Sequence, residues 1–439
     1  MQLNSLMKTK AIYKNPAPGF RIFLVSIILL RIISYFVLSE DLIITQALKA
    51  GLRTALTIIV ITSSIIQQMR SDKPLYKIKY PLPLWLYAGY LVLGIASLLW
   101  TSSFKYSLLQ IFMDIESFVF AFFFMRLVLA CKSMYPGGYF ELHKIIAPAI
   151  ALIAAWFAIG KVIDPDQYYR LTHGGEVSRL GGYIINPNEL GMLLVVGIAV
   201  MLPMLIKDEK YSIRSILILG GLIYLLFLTG SRSSFISMLL VFGLYGYKQQ
   251  SKAFKIALGS LLILAIPLLG YQIFVKQSNA EEVMSMTGRI PFWKDLLTYN
   301  FPREPWFGFG YMRIDYADKF ESLNAYSGAM THNTFLQVLL GLGLAGLLLV
   351  LSQLSSFLHA LATHPNKEQK TTALLIFIPL LINSLTEFGI FGETNYGILF
   401  YLLIVITISI EPIGVSSRIY RSTDSNAKTY ISFRSSSAA

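Results

Sequence analysis

Apolar runs long enough to cross a bilayer recur along the whole chain, separated by short polar segments rich in Lys and Arg. A membrane-spanning helix needs about 20 predominantly apolar residues. The pattern predicts about twelve spans, near 20–38, 43–66, 82–100, 107–130, 145–163, 189–206, 213–229, 233–247, 254–275, 333–358, 371–387 and 396–411. The clearest, Asn333 to Leu358, carries no charged residue. The expected fold class is therefore an all-α polytopic membrane protein. The first span follows a basic segment (Lys8, Lys10, Lys14) and reads as a retained helix.

The polar segments set the expected orientation. With the N-terminus inside, the inner segments hold 23 Lys and Arg and the outer ones ten, and most acids lie outside. That asymmetry follows the positive-inside rule and predicts that both termini are cytoplasmic. Four units follow: helices over 1–275, a large outer loop at 276–332, further helices over 333–411, and a Ser-rich basic tail at 412–439. The loop contains Trp293, Trp306 and the run Phe307-Gly308-Phe309-Gly310, an aromatic content that argues against disorder.

Composition narrows the class. The chain has 439 residues, 55% hydrophobic and 14% charged, against roughly 25% charge in soluble proteins. A soluble enzyme, a disordered chain and a disulfide scaffold are excluded; Cys131 is the only cysteine. The formal charge of +13 is accounted for by topology, and nucleic acid is not an expected partner.

Four polar elements stand at the expected outer face. In Thr229-Gly230-Ser231-Arg232-Ser233-Ser234, the helix that follows has only about 15 residues before Lys248, about 22 Å at 1.5 Å per residue. That is short of the hydrocarbon core of about 30 Å, so Arg232 is recessed. It reads either as an arginine snorkelling to headgroups or as part of an anion site. In Thr287-Gly288-Arg289-Ile290-Pro291-Phe292-Trp293, Gly288 suits a turn and Pro291 the first turn of a helix. Arg289 there suits phosphate, or is a surface arginine at a helix start. In Thr331-His332-Asn333-Thr334-Phe335-Leu336-Gln337, His332 opens the uncharged span. It is a candidate base kept neutral by the helix dipole, or an interfacial cap. The fourth element runs from Arg179 through Gly181-Gly182 and Asn186-Pro187-Asn188-Glu189-Leu190-Gly191, with Asn188 as candidate N-cap and a structural role.

Metal sites are not evident. Asp164 and Asp166 have a spacing that some metal-dependent transferases use, but they begin a loop. Asp114 and Glu116 are two positions apart on one span, so they do not share a face. Arg31, Lys49, Arg53 or Arg126 are their candidate neutralisers. His143, His359 and His364 fall in inner loops where no other chemistry gathers. No phosphate-binding Gly loop, zinc cluster or nucleophile elbow occurs.

These elements, in this order, resemble the bacterial O-antigen ligase and O-antigen polymerase family, over roughly residues 170–410. The similarity lies in the Asn-Pro-Asn-Glu-Leu-Gly entry, the Thr-Gly-Ser-Arg-Ser turn, the Thr-Gly-Arg plus Trp segment, the Phe-Gly-Phe-Gly run and the His-Asn-Thr-Phe-Leu-Gln helix start. The resemblance implies a membrane glycosyltransferase of C-type architecture in the bacterial inner membrane, its active site on the periplasmic face. The donor would be an undecaprenyl-pyrophosphate-linked glycan. The acceptor would be a glycolipid, or a second carrier-linked glycan, with membrane lipids around both. By the same resemblance Arg232 and Arg289, and less directly Arg179, would hold the pyrophosphate. His332 would activate the acceptor hydroxyl, and neither metal nor other cofactor would be needed. The contrasting expectation is a polytopic transporter or lipid-linked glycan flippase, which explains the spans equally well. It does not account for one aromatic outer loop joined to a histidine and two arginines. The absence of an internal repeat also weighs against it.

Overall fold

The computed structural model describes residues 17–36, 42–69, 76–135, 140–172, 177–207, 210–248, 288–311, 331–387 and 389–412, with isolated positions between 255 and 270. The expected span at 254–275, most of the expected outer loop and the expected tail lie outside the described residues.

The described chain is helical. Its helices are α1 (Ala17–Ile33), α2 (Leu42–Met69), α3 (Leu82–Ala96), α4 (Phe104–Met134), α5 (Leu142–Ile163), α6 (Pro165–Tyr168), α7 (Pro187–Met201), α8 (Ile213–Thr229), α9 (Arg232–Lys248), α10 (Arg289–Asp295), α11 (Thr334–Thr363), α12 (Lys367–Ser384) and α13 (Tyr396–Ser409). Three two-stranded antiparallel pieces accompany them: β1 (Tyr76–Ile78) with β6 (Ile410–Pro412), β2 (Tyr169–Thr172) with β3 (Val177–Leu180), and β4 (Ile206–Lys207) with β5 (Lys210–Tyr211). Six helices are long and apolar enough to cross a membrane. The count of about twelve is not reached among the described residues. Helices such as α8 and α13 are apolar but shorter than a full crossing.

Helix α13 lies at the centre and is buried along its whole length, which suits a helix that is apolar on every face. The N-terminal helices are tied to the bundle by charge as well as packing. Arg31, fully buried, places its two terminal nitrogens 2.6 and 2.5 Å from the carboxylate oxygens of Glu116, and Arg53 lies 3.5 Å from Glu116. Asp114, on another side of α4, accepts from the Tyr311 hydroxyl and, at 2.8 Å, from Thr394. The two acids thus serve separate partners, as their spacing predicts. Arg126 neutralises neither; it lies over the rings of Tyr76 and Phe123.

Helix α11 is broken at Gly343, whose φ of 65° is left-handed. The break frees backbone groups that a membrane interior cannot leave unpaired. Residues 305–310 satisfy them: Phe309 and Gly310 donate to the carbonyls of Leu340 and Gly341 at 2.9 and 2.8 Å, while Leu344 and Ala345 donate to those of Pro305 and Trp306 at 2.8 and 3.1 Å. A Cβ on Gly343 would come within 2.3 Å of the Trp306 backbone, and one on Gly308 within 2.4 Å of the Leu340 carbonyl oxygen. The Phe-Gly-Phe-Gly run is a seam that knits this segment onto α11.

Candidate active site

The elements singled out in the sequence meet around a residue that sequence reasoning did not single out. Glu387 is buried in the turn after α12. Its Oε1 accepts from Arg289 Nη2 at 2.8 Å and from Asn188 Nδ2 at 2.7 Å, and its Oε2 lies 2.6 Å from His332 Nδ1. Arg289 also donates to the Thr386 carbonyl. Burial works to raise the Glu387 pKa, but the bonds and charges of His332 and Arg289 overcome it and hold it down at about 2. Glu387 is therefore ionised at neutral pH.

Local structure fixes each partner. His332 is followed by Asn333, whose side chain caps α11 by accepting from Leu336 N at 3.0 Å. The histidine itself has φ 50°, the left-handed conformation that non-glycine residues seldom adopt. Such strain costs on the order of 1–3 kcal/mol and collects at functional positions. Thr334 anchors the Glu387 turn, accepting from Gly389 N at 3.2 Å. Gly288, at φ 80°, turns the chain into α10 and delivers Arg289. Phe292 of α10 and Leu296 just after it pack on Phe309, Leu336 and Leu340, and Trp293 Nε1 donates to the Thr331 carbonyl at 2.6 Å. Arg289 is held beside His332 by this apolar and hydrogen-bonded mount.

Arg179 reaches the site from β3. Its Nη2 donates to Asn188 Oδ1 at 2.6 Å and its Nε to the Thr229 carbonyl at 2.8 Å, where it also caps the C-terminal end of α8. Burial, then the positive charge of Arg170, then that of Arg232 and Arg289, push the Arg179 guanidinium down to about 10, against the pull of Glu387. Arg232 opens α9 after a turn in which Gly230 is left-handed and Ser231 pairs with Ser234 at 2.8 Å. The helix has 17 residues, about 25 Å, so it is short of a full crossing, as the sequence indicates.

Two readings change. Asn186, not Asn188, caps α7, accepting from Asn188 N at 2.9 Å; Asn188 instead bridges Arg179 and Glu387. Asp164 is a cap as well, accepting from Gln167 N at 3.2 Å in α6. Arg170 was missed: it stands directly opposite Arg179 in the β2–β3 register, so the two share a face. Glu189, Glu393 and Lys49 also lie within electrostatic reach. Arg170 and Arg232 thus add positive charge beside Arg179, while Glu189 answers to Glu387, Glu393, Lys49 and Arg170.

The arrangement can bind an anion and handle a proton beside it. Guanidinium groups pair bidentately with phosphate oxygens and stay protonated. A neutral His332 with its proton on Nδ1, donated to Glu387, carries its lone pair on Nε2.

Fold and site together define a helical membrane protein with a cationic, anion-accepting centre built round a carboxylate-held histidine. Residues 215–351 match the family model for O-antigen ligase. That match agrees with the resemblance read from the motifs. The matched stretch includes Arg232, Arg289 and His332, while Arg179, Asn188 and Glu387 come from outside it. No curated protein matches the chain.

Proposed function

We propose that this protein is a metal-independent glycosyltransferase of the inner membrane. It moves a glycan from an undecaprenyl-pyrophosphate carrier to an acceptor sugar hydroxyl at the outer face, as an O-antigen ligase or a surface-polysaccharide polymerase does. The observation that carries this reading is the convergence of Arg289 and, through Asn188, Arg179 on the His332–Glu387 pair, with the charge of Arg232 reaching Arg179.

The arginines bind the pyrophosphate. Negative charge grows on it as the glycosidic bond breaks, so they stabilise the transition state more than the ground state. His332 Nε2 accepts the proton of the acceptor hydroxyl as the oxygen attacks the anomeric carbon. Glu387 fixes the tautomer and stabilises the imidazolium that forms. Attack opposite the leaving group inverts the anomeric configuration. The proton on His332 then leaves to solvent or to the pyrophosphate.

A broken helix such as α11 is also found in transporters, where it exposes backbone to a substrate. Here residues 305–310 take up the broken backbone, which favours the transferase reading. The deciding experiment gives purified protein in nanodiscs a carrier-linked glycan with either a lipid A–core acceptor or a second carrier-linked repeat. Transfer to one of them, undiminished by chelators, is expected. Transport of the carrier-linked glycan without transfer would overturn the reading.

A further inference from the structure

We propose that Glu141, His143 and Glu368 form a binding site for one zinc-type dication, at the end of the bundle remote from His332. Helix α12 separates the two places. Glu368 lies in its first turn and Glu387 three residues beyond its end, about 27 Å apart along 18 residues. The charges of residues 126–144 and 359–370 mark this end as the expected inner side, which puts the proposed site on the cytoplasmic side.

The donor set is one imidazole and two carboxylates. One ligand atom from each lies within 4.8 Å of the others. A zinc-type ion at about 2.0–2.2 Å from each donor would draw them to about 3.5 Å apart. The two Glu side chains, one half-buried and one exposed, can supply that closure. Imidazole with carboxylate suits zinc better than magnesium or calcium, which take oxygen donors.

A second observation points to a ligand. His143 is only 4% exposed and lines a cavity of about 60 Å³ together with Glu141 and Glu368. It makes no hydrogen bond among the described residues; its Nε2 lies 3.6 Å from Glu141 Oε2. A buried imidazole normally has a hydrogen-bond partner. The cavity has room for an ion with water, since about 10–15 Å³ of such space holds one water.

Lys144 Nζ lies 3.1 Å from Glu141 Oε2, and the charge of Lys132 also reaches the group. Both oppose the dication, and Lys144 is its direct competitor. Bound metal would clamp the start of α5 to the start of α12.

The test uses the full chain, tag removed, in nanodiscs, stripped with chelator and titrated with zinc chloride. One equivalent of zinc should bind and raise the melting temperature. His143→Ala should weaken binding by at least the ~10–100-fold that loss of an outer-shell partner costs. Because His143 is buried, Glu368→Ala at an exposed position provides a second variant, with the same expected loss. Lys144→Met should tighten binding. Equal zinc uptake by wild type and Glu368→Ala, or none by wild type, would overturn the proposal. Transfer activity at the far end of α12 is not the readout, so this result stands apart from the transferase assay.

Discussion

His332 Nδ1 and Glu387 Oε2 are 2.6 Å apart, although 55 residues separate them in the chain. The carboxylate is buried and ionised, and the ring is held in a left-handed backbone. In the proposed mechanism this pairing gives His332 the tautomer a base requires.

His332→Ala should lower turnover by about 10²–10⁴-fold, the usual range for losing general-base catalysis. Donor binding should be nearly kept, because the proposed mechanism gives that task to the arginines. His332→Gln should fail almost as badly, since an amide does not accept the proton. Single-turnover rates together with donor binding separate these effects. Near wild-type turnover by the Gln variant would reduce His332 to positioning the acceptor.

Arg289→Ala and Arg232→Ala should each abolish measurable transfer in protein that still folds. Lys at either position should restore activity only in part, because a point charge does not reproduce a bidentate fork. Arg179→Ala should cost stability as well, since Arg179 also bonds the Thr229 carbonyl. Product assays on nanodisc protein, paired with melting curves, check all three.

Glu387→Gln should lower turnover on the order of 10²–10⁴-fold, by analogy with an uncharged orienter in a triad. It should also reveal a linkage. The folded pKa is held at about 2 against an ordinary 4.5. The stabilisation by the charge is therefore fully present above about pH 4.5 and fades as pH falls toward about 2. Melting temperatures of wild type and variant, compared at pH 7 and at successively lower pH, should converge. A gap that stayed constant would show that the charge is not what stabilises.

Gly343→Ala should destabilise the fold by more than the ~1–3 kcal/mol of left-handed strain alone. The added Cβ meets the Trp306 backbone at 2.3 Å. Thermal unfolding of the purified variant measures it, and a melting temperature equal to wild type would show that the seam is not tight.

The loop charges predict an orientation that labelling can check. Cysteines at Ser278 or Ser322 should label from outside, and one at Ser425 only after permeabilisation, with Cys131 replaced. Outside labelling at Ser425 would reverse the membrane orientation and remove the outer-face mechanism.

Much of this was legible in the chain because it is written locally. Apolar runs, loop charges, glycines at turns and the Asn that opens a helix act over a few residues. So many of the helices and the turn at Gly288 could be read off, and Arg232, Arg289 and His332 could be singled out as candidates, while the cap of α7 fell on Asn186 and not on the expected Asn188. Glu387 could not be singled out. It is one acid in a turn, with no motif around it, and it matters only because α10, α11, α7 and α12 bring Arg289, His332 and Asn188 to its two oxygens. Arg170 gains its place from a strand register, and His143 its neighbour Glu368 from a residue 225 positions away. Electrostatics and hydrogen bonds depend on distance in space. Pairings across the bundle were therefore decided by tertiary packing alone.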